Sequence, residues 1–232
     1  MVRIYTVAPK RRGFFSSKGV NFVLILINVV LFFILKIIFP DQMIIIEGET
    51  IRTFHPFILK NIAISLENIS ELRVWTFLTS MFMHGSIFHL FANMLSLFFI
   101  GGLVEKLLGR KRYLWFYLIS GLFAGALYIL VELLSPYNLP AVGASGAIFG
   151  LIGLLMILTP NLPVYLMFIP IPIKMKYAAP GILVVLWLIS LAGNIPIGNT
   201  AHLGGFVLGL AYAFYLRKKY KNKTRAISRH FS

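Results

Sequence analysis

The chain has 232 residues, of which 59% are hydrophobic and only 12% are charged, against about 25% charged residues in an average soluble domain. Lys and Arg outnumber Asp and Glu by 22 to 7, but they stand between apolar runs, so membrane topology explains them better than a nucleic-acid-binding face. No Cys is present, which excludes disulfides, thiolate nucleophiles and Cys-ligated metals. This composition predicts an integral membrane protein.

Six apolar stretches follow one another along the chain, and each predicts a membrane-spanning helix. They are 20–39, 86–104, 113–134, 145–159, 177–193 and 201–216. The first follows a basic segment, as a signal peptide would, but its apolar run is longer than the roughly 7–15 residues of a signal peptide. We therefore interpret it as a retained span, and the fold class as an all-α, six-span polytopic bundle.

The basic residues sort to one side of this six-span arrangement. Outside the N-terminal tail, the loops 105–112 and 160–176 and the C-terminal tail, the only Lys and Arg are Lys36, Arg52, Lys60 and Arg73, which leaves 18 of the 22 on one side. The positive-inside rule then places both termini in the cytoplasm. We divide the chain into a cytoplasmic tail (1–19), a six-span domain (20–216) and a basic cytoplasmic tail (217–232) that we expect to be mobile.

Residues 40–80 become a long outer loop in this topology. Within it, the stretch from Phe57 to Leu72 is amphipathic, which is typical of a segment that lies in the membrane interface. The fourth apolar stretch is too short for a full crossing, because about 15 residues of helix cover only about 22 Å. Its helix must begin below the outer surface, so the loop 135–144 must dip inward, where irregular backbone is tolerated beside a wet cavity.

Few polar side chains lie at membrane depth, and such groups are functional candidates because burying them in lipid is costly. By the topology above, His89, Ser145 and His202 all fall near the outer ends of their helices. His84 and Asn93 lie close to the same level, and Asn93 shares a helix face with His89, four residues before it. Three separate spans therefore deliver polar groups to one level of the membrane.

Ser145 lies between glycines at the start of the fourth span, where free backbone N–H groups can stabilise an oxyanion. His202 opens the sixth span beside a stripe of small residues at every fourth position, and Gly146, Gly150 and Gly153 form a similar stripe on the fourth span. Small stripes let two helices pack closely, which would bring the imidazole to the serine hydroxyl.

The other residue types in the chain limit which catalytic mechanisms are possible. No HExxH motif and no other metal-ligand spacing is present, so we expect neither a metal nor a cofactor. Asp41, the only Asp, lies in the outer loop, and Glu105 is at the wrong end of its helix to orient His202. A Ser-His dyad remains, with Phe149 on the face of Ser145 to stack under the imidazole.

Five short motifs, taken in chain order, resemble the signature of the rhomboid family of intramembrane serine proteases. They are Thr79–His84 leading into the second span, His89-x-x-x-Asn93, Gly101-Gly102-x-x-Glu105, Gly143-x-Ser145-Gly146, and Ala201-His202-x-x-Gly205-x-x-x-Gly209. The match covers roughly residues 74–216. Family members usually carry Trp-Arg in the outer loop, where this chain reads Trp75-Thr76, and often a Tyr at the position of Phe149.

The resemblance implies a role for each motif. Ser145 would attack the scissile carbonyl, His202 would transfer the proton, and His89 and Asn93, with the Ser145 N–H, would form the oxyanion hole. The fifth span (Tyr177–Gly193) and the loop 194–200 would gate the entry of substrate. Substrates would be transmembrane segments with small residues at the cleaved bond, membrane lipid would surround the enzyme, and the six-span form would place it in the plasma membrane of a prokaryote.

Two other readings remain open. A non-catalytic binding protein on the same scaffold typically lacks the Ser or the His, and this chain has both. A transporter or channel would show internal repeats and paired broken helices, which the sequence lacks.

Overall fold

The computed structural model describes residues 19–46, 49–136, 139–165, 171–193 and 197–230, and the described part is mainly helical. The predicted N-terminal tail, except Gly19, lies outside the described residues.

The first long helix leads into a loop built of short elements. These are α1 (Val20–Ile38), the antiparallel strands β1 (Gln42–Ile46) and β2 (Glu49–Thr53), α2 (Pro56–Asn61), α3 (Leu66–Ser70), α4 (Thr76–Thr79) and a 3₁₀ turn at Ser80–Phe82. The predicted amphipathic stretch from Phe57 to Leu72 therefore contains most of α2 and all of α3. Ser65 caps α3 by accepting a hydrogen bond from the Asn68 N–H, at 3.2 Å.

The second predicted span is one helical run with a change of pitch inside it. It consists of α5 (Ile87–Ser96), a π-helical turn at Leu97–Gly101, and α6 (Gly102–Leu108). The π turn frees a carbonyl, and the Asn21 amide of α1 donates to the Leu97 oxygen at 2.9 Å. A Cβ at Gly101 would overlap the Asn21 side chain, so glycine is needed for α1 to approach this closely.

The remaining elements follow in chain order. They are α7 (Arg110–Glu132), α8 (Ser145–Leu158), the strand pair β3 (Pro163–Val164) and β4 (Ile173–Lys174), α9 (Met175–Gly193), α10 (Asn199–Lys219) and α11 (Lys221–His230). Because α10 continues to Lys219, the domain boundary predicted at residue 216 falls inside a helix. Residues 221–230 of the predicted C-terminal tail form α11, whose Thr224 is buried.

Four helical segments in the described part are long and apolar enough to cross a membrane, namely α1, the run α5–α6, α7 and α9. The helix α8 is apolar but has 14 residues, or about 21 Å of rise, as the short fourth stretch predicted. The helix α10 has 21 residues and ends in Arg217–Lys219. These observations confirm the predicted all-α polytopic bundle.

The short helix α8 lies at the centre of the bundle, packed against α7, α9 and α10, and nearly all of its residues are buried. Its contact with α10 is backbone against backbone. A Cβ at Gly205 would overlap the Gly146 carbonyl oxygen, and one at Gly209 would overlap that of Gly150. The two predicted small-residue stripes therefore face each other and allow the two backbones to touch.

Glu105 of α6 caps the beginning of α1. One carboxylate oxygen accepts a hydrogen bond from the Val20 N–H at 2.7 Å and the other accepts from the Asn21 N–H at 3.0 Å. Asn21 in turn accepts a hydrogen bond from the Tyr113 hydroxyl at 2.6 Å. The helix start at α1 has no side-chain cap of its own, so a carboxylate from a distant helix satisfies its free N–H groups.

Candidate active site

Ser145 and His202 meet at the first turns of two neighbouring helices. Ser145 is the first residue of α8 and His202 is the fourth residue of α10. The distance between Ser145 Oγ and His202 Nε2 is 2.7 Å, within hydrogen-bond range. The close glycine contacts between α8 and α10 begin at Gly146, the next residue of α8, and at Gly205, about one turn further along α10, so the backbone packing holds these two side chains together.

The imidazole of His202 is buried and stacked rather than held by a carboxylate. The ring of Phe149, one turn after Ser145, stacks on it with a centroid distance of 4.5 Å and an interplanar angle of 24°. Within the described part of the chain, His202 Nδ1 has no hydrogen-bond partner. The geometry is therefore that of a Ser-His pair with an aromatic platform.

The segment before Ser145 is fixed by backbone contacts that the sequence did not reveal. Gly143 has φ +131°, a conformation that side chains other than glycine rarely adopt, and its N–H donates to the Ser80 carbonyl at 2.8 Å. Two residues earlier, Ala141 forms an antiparallel bridge with Ile64 of the outer loop. The glycine before Ser145 was the only sequence signal of this arrangement.

His89 lies beside Gly143, close to Ser145. It occupies the first turn of α5, and an added Cβ at Gly143 would come within 2.9 Å of its Nε2 and 3.6 Å of Ser145 Oγ. His89 Nδ1 accepts a hydrogen bond from the Gly85 N–H at 3.4 Å. A neutral imidazole that accepts at Nδ1 carries its proton on Nε2, so a donor faces the space beside Ser145.

Asn93 lies one turn after His89 and is buried. One hydrogen of its amide is donated to the His89 carbonyl at 2.8 Å, which leaves the second hydrogen of the NH₂ group for another acceptor. His84 is fully buried next to His89, with ring centroids 5.1 Å apart and an edge-on angle of 72°. His84 therefore contacts His89 edge to face.

The start of α8 supplies further donors. Its N-cap residue, Ala144, has no side chain that can accept a hydrogen bond, and the first intrahelical bond runs from the Ile148 N–H to the Ala144 carbonyl. The N–H groups of Ser145, Gly146 and Ala147 have no partners within the helix, as at any helix start. Such N–H groups stabilise negative charge that develops beside them.

The other singled-out residues lie away from this cluster. Glu105 caps α1, and Glu132 accepts a 3.4 Å hydrogen bond from the Leu139 N–H in the loop after α7. Trp75 donates from its ring to the Asn61 carbonyl at 3.1 Å. Thr76 stands where the family has Arg, and the guanidinium of Arg73 instead donates to the Asn68 side chain at 2.9 Å and so helps to hold the outer loop.

The helix α9, predicted to act as a gate, is anchored at one end only. Its buried residues are Met175, Ala178 and Ala179, all in its first half, whereas Leu188 and Leu191 near its other end are exposed. In the loop after α9, residues 194–196 lie outside the described residues. Among the described residues, no three or more His, Asp or Glu side chains are grouped so that they could hold a metal ion.

The comparisons with known proteins agree on one family. The rhomboid domain model matches residues 71–219. The chain is 41% identical over 152 residues to RHOMBOID-like protein 1 of Arabidopsis thaliana, a match that covers 63% of this chain and 36% of that protein. It is 30% identical over 151 residues to rhomboid protease GlpG of Salmonella newport (strain SL254), a match that covers 63% of this chain and 50% of that protein.

A further relative, inactive RHOMBOID-like protein 8 of Arabidopsis thaliana, is 34% identical over 137 residues, covering 58% of this chain and 36% of that protein. These matches span about half the length of the relatives or less. The matched domain includes every residue of the cluster around Ser145 and extends over more than half of the chain. The chain therefore belongs to the rhomboid family.

Proposed function

We propose that the chain is an intramembrane serine endopeptidase that cleaves peptide bonds in or near transmembrane segments of other membrane proteins. The observation that carries the proposal is the 2.7 Å approach of His202 Nε2 to Ser145 Oγ, in a member of a family that includes a protease. A serine hydroxyl is a weak nucleophile until a neighbouring base accepts its proton. A buried imidazole at this distance is such a base.

In the proposed reaction, Ser145 Oγ attacks the scissile carbonyl carbon while His202 Nε2 accepts the hydroxyl proton. The tetrahedral intermediate collapses as His202 returns that proton to the leaving amine, which gives an acyl-enzyme on Ser145. Water then attacks the ester while His202 accepts its proton, and the second tetrahedral intermediate collapses as His202 returns that proton to Ser145 Oγ and the carboxyl product leaves. Stacking on Phe149 keeps the ring in one plane through both proton transfers, in the role that a carboxylate has in a triad.

The oxyanion of the intermediate is proposed to bind donors from two helices. His89 offers Nε2–H, because its Nδ1 accepts from the Gly85 N–H. Asn93 offers its second amide hydrogen, and Ser145 offers its own backbone N–H. A single donor of this kind contributes about 10²–10³ in rate, so their convergence supports an acyl-transfer function over simple binding.

The substrate is proposed to be a transmembrane helix that unwinds near the site, because a closed helix hides its carbonyls from attack. Small residues at the cleaved bond suit the narrow space beside Gly143, where His89 already fills the position of a side chain. Access would run past α9 and the loop 194–200. The half of α9 nearest this loop has no fully buried residue in the described part, which supports movement there.

For the whole chain, we propose a multi-pass protein with both termini in the cytoplasm, in the plasma membrane of a prokaryote, in contact with membrane lipid. The distribution of Lys and Arg supports the orientation. In this orientation Ser145 lies towards the outer face, and the division into tails and a six-span domain follows from it.

The alternative is a non-catalytic member of the family, and it arises because one relative is named inactive. Both candidates predict binding of transmembrane helices, but only the protease predicts a nucleophilic Ser145. A fluorophosphonate probe in mild detergent distinguishes them, since it labels an activated serine. We expect labelling of the wild type and none of Ser145→Ala or His202→Ala.

The matched control is Ser120→Ala, which removes a buried serine hydroxyl of α7 outside the site and is expected to keep full labelling. Cleavage of a transmembrane reporter in liposomes should follow the same pattern. An unlabelled wild type that elutes as a folded species, or equal labelling of wild type and Ser145→Ala, would exclude the protease.

A further inference from the structure

The first turn of α7 carries three cations where a helix favours anions. Residues 110–112 read Arg-Lys-Arg, and the turn contains no acidic residue. The N-terminal end of a helix has a partial positive charge from its unpaired N–H groups, so cations are unfavourable there and a bound anion is favoured. This unfavourable arrangement lies at the end of the bundle that also holds the C-terminal end of α10, which we call the basic end.

A groove opens beside these cations. It has a volume of about 410 Å³, within the roughly 300–1,000 Å³ typical of small-molecule sites. Lys111 and Arg112 lie at its start, and the lining continues along α7 with Trp115, Phe116 and Ile119 and along α10 with Leu208 and Tyr212. Most of its wall is therefore apolar, with positive charge at one end only.

The two helices form this groove through aromatic contacts. The rings of Phe116 and Tyr212 stack at a centroid distance of 4.8 Å. At the basic end, the Arg112 guanidinium lies 5.8 Å from the centroid of the Tyr220 ring. Lys219 donates to the Tyr215 hydroxyl at 2.7 Å, and its charge repels that of Arg112.

Of the three cations in the first turn of α7, only Arg110 has an acidic partner among the described salt bridges. That partner is Glu105, at 3.9 Å, which also caps α1. Lys111 and Arg112 take part in none of the described salt bridges and are exposed. Cations that repel one another beside an apolar groove are stabilised by a ligand that has both an anionic and an apolar part.

We propose that the groove between α7 and α10 binds an anionic phospholipid, with its phosphate at Lys111 and Arg112 and an acyl chain along the apolar wall. The groove belongs to helices of a membrane bundle, so its open side faces lipid. Trp115, whose side chain is 58% exposed, has the amphipathic ring typical of the membrane–water interface. Basic pockets between transmembrane helices at a cytoplasmic face are known to suit anionic headgroups.

A single-tryptophan quenching experiment tests the site, because Trp115 lines the groove and the chain has only two other Trp residues. In a Trp75→Phe/Trp187→Phe background, the full chain is reconstituted in phosphatidylcholine bilayers that contain a minor fraction of brominated lipid. We expect brominated phosphatidylglycerol to quench Trp115 more strongly than brominated phosphatidylcholine at equal mole fraction. The preference should fall about fivefold for each cation removed in Lys111→Gln/Arg112→Gln.

Two variants control for net charge and for folding. Lys174→Gln/Lys176→Gln removes the same charge elsewhere and should keep the preference, and Lys111→Arg/Arg112→Lys should also keep it. Equal quenching by the two lipids, or equal loss in the Lys174/Lys176 variant, would overturn the proposal. Loss of the preference when phosphate replaces chloride at constant ionic strength would also overturn it, because the site would then take a soluble anion.

Discussion

Replacing Glu105 with Gln is expected to destabilise the bundle although the change is nearly isosteric. In the native chain, each carboxylate oxygen accepts one N–H from the first turn of α1, at 2.7 Å from Val20 and 3.0 Å from Asn21. Gln has one acceptor oxygen, and its NH₂ group would face the second N–H as a donor against a donor. The variant therefore loses one of the two hydrogen bonds, and the acceptor of the remaining hydrogen bond is no longer charged.

The magnitude follows from these two changes. A hydrogen bond to a charged group contributes about 1.5–3 kcal/mol, and a negative charge at a helix start contributes about 0.3–1 kcal/mol more. Glu105 is only 12% exposed, so water replaces little of what is lost. We expect Glu105→Gln to cost about 2–4 kcal/mol, which corresponds to a fall in Tm of roughly 4–16 °C for a chain of this size.

The measurement is thermal unfolding in a mild detergent, with Arg110→Gln as the matched control. Arg110 approaches Glu105 only to 3.9 Å and is 54% exposed, so its loss should cost less than about 1 kcal/mol. A Tm of Glu105→Gln within about 1 °C of the wild type would refute the capping role. An equal loss in Arg110→Gln would refute it too, by assigning the effect to the ion pair.

Three further outcomes are expected. Gly205→Ala should lower the Tm, because the added Cβ would overlap a carbonyl oxygen of α8. Gly181→Ala in α9 places its Cβ in open space and should raise stability by about 0.5–1 kcal/mol. Similar Tm values for the two variants would contradict the described packing. Gly143→Ala should reduce reporter cleavage by about 10²-fold or more, because the added Cβ would displace the His89 ring and because Gly143 has φ +131°. A variant with the wild-type kcat would exclude this role of Gly143. Burial and then the charge of His89 lower the pKa of His84 from 6.5 to about 3, so the unfolded chain binds this proton first. The contribution of His84 to stability should therefore be constant above about pH 6.5 and fall by up to about 1.4 kcal/mol per pH unit between about pH 6.5 and 3. A pH profile of stability unchanged in His84→Gln would contradict this.

The features that sequence predicted well depend on local pattern. Apolar length alone gave the six helical segments within a few residues at most ends, including the short α8. The small residues at every fourth position indicated which faces of α8 and α10 meet, because only such residues allow two backbones to touch. That contact brings Ser145 and His202 within hydrogen-bond distance, from stretches 57 residues apart in the chain.

The features that sequence did not predict depend on partners far apart in the chain. Glu105 belongs to a family motif, but nothing near it in sequence identifies the start of α1, 84 residues away, as its partner. The bridge between Ile64 and Ala141 is equally non-local, and neither residue has a side chain that signals pairing. The basic composition of α11 likewise gives no sign that Thr224 is buried against the bundle.

The backbone contact between α8 and α10 also determines which mutations the site tolerates. Because no side chain separates Gly146 from Gly205, the Ser145–His202 distance depends on helix register and not on how the core is packed. Conservative changes of apolar residues elsewhere in α8 should leave that distance unchanged. A one-residue insertion between Ser145 and Gly153 would rotate the two parts of α8 by about 100° relative to each other. We therefore expect α8 to tolerate substitution of apolar residues away from the glycine contact, but not insertion or deletion.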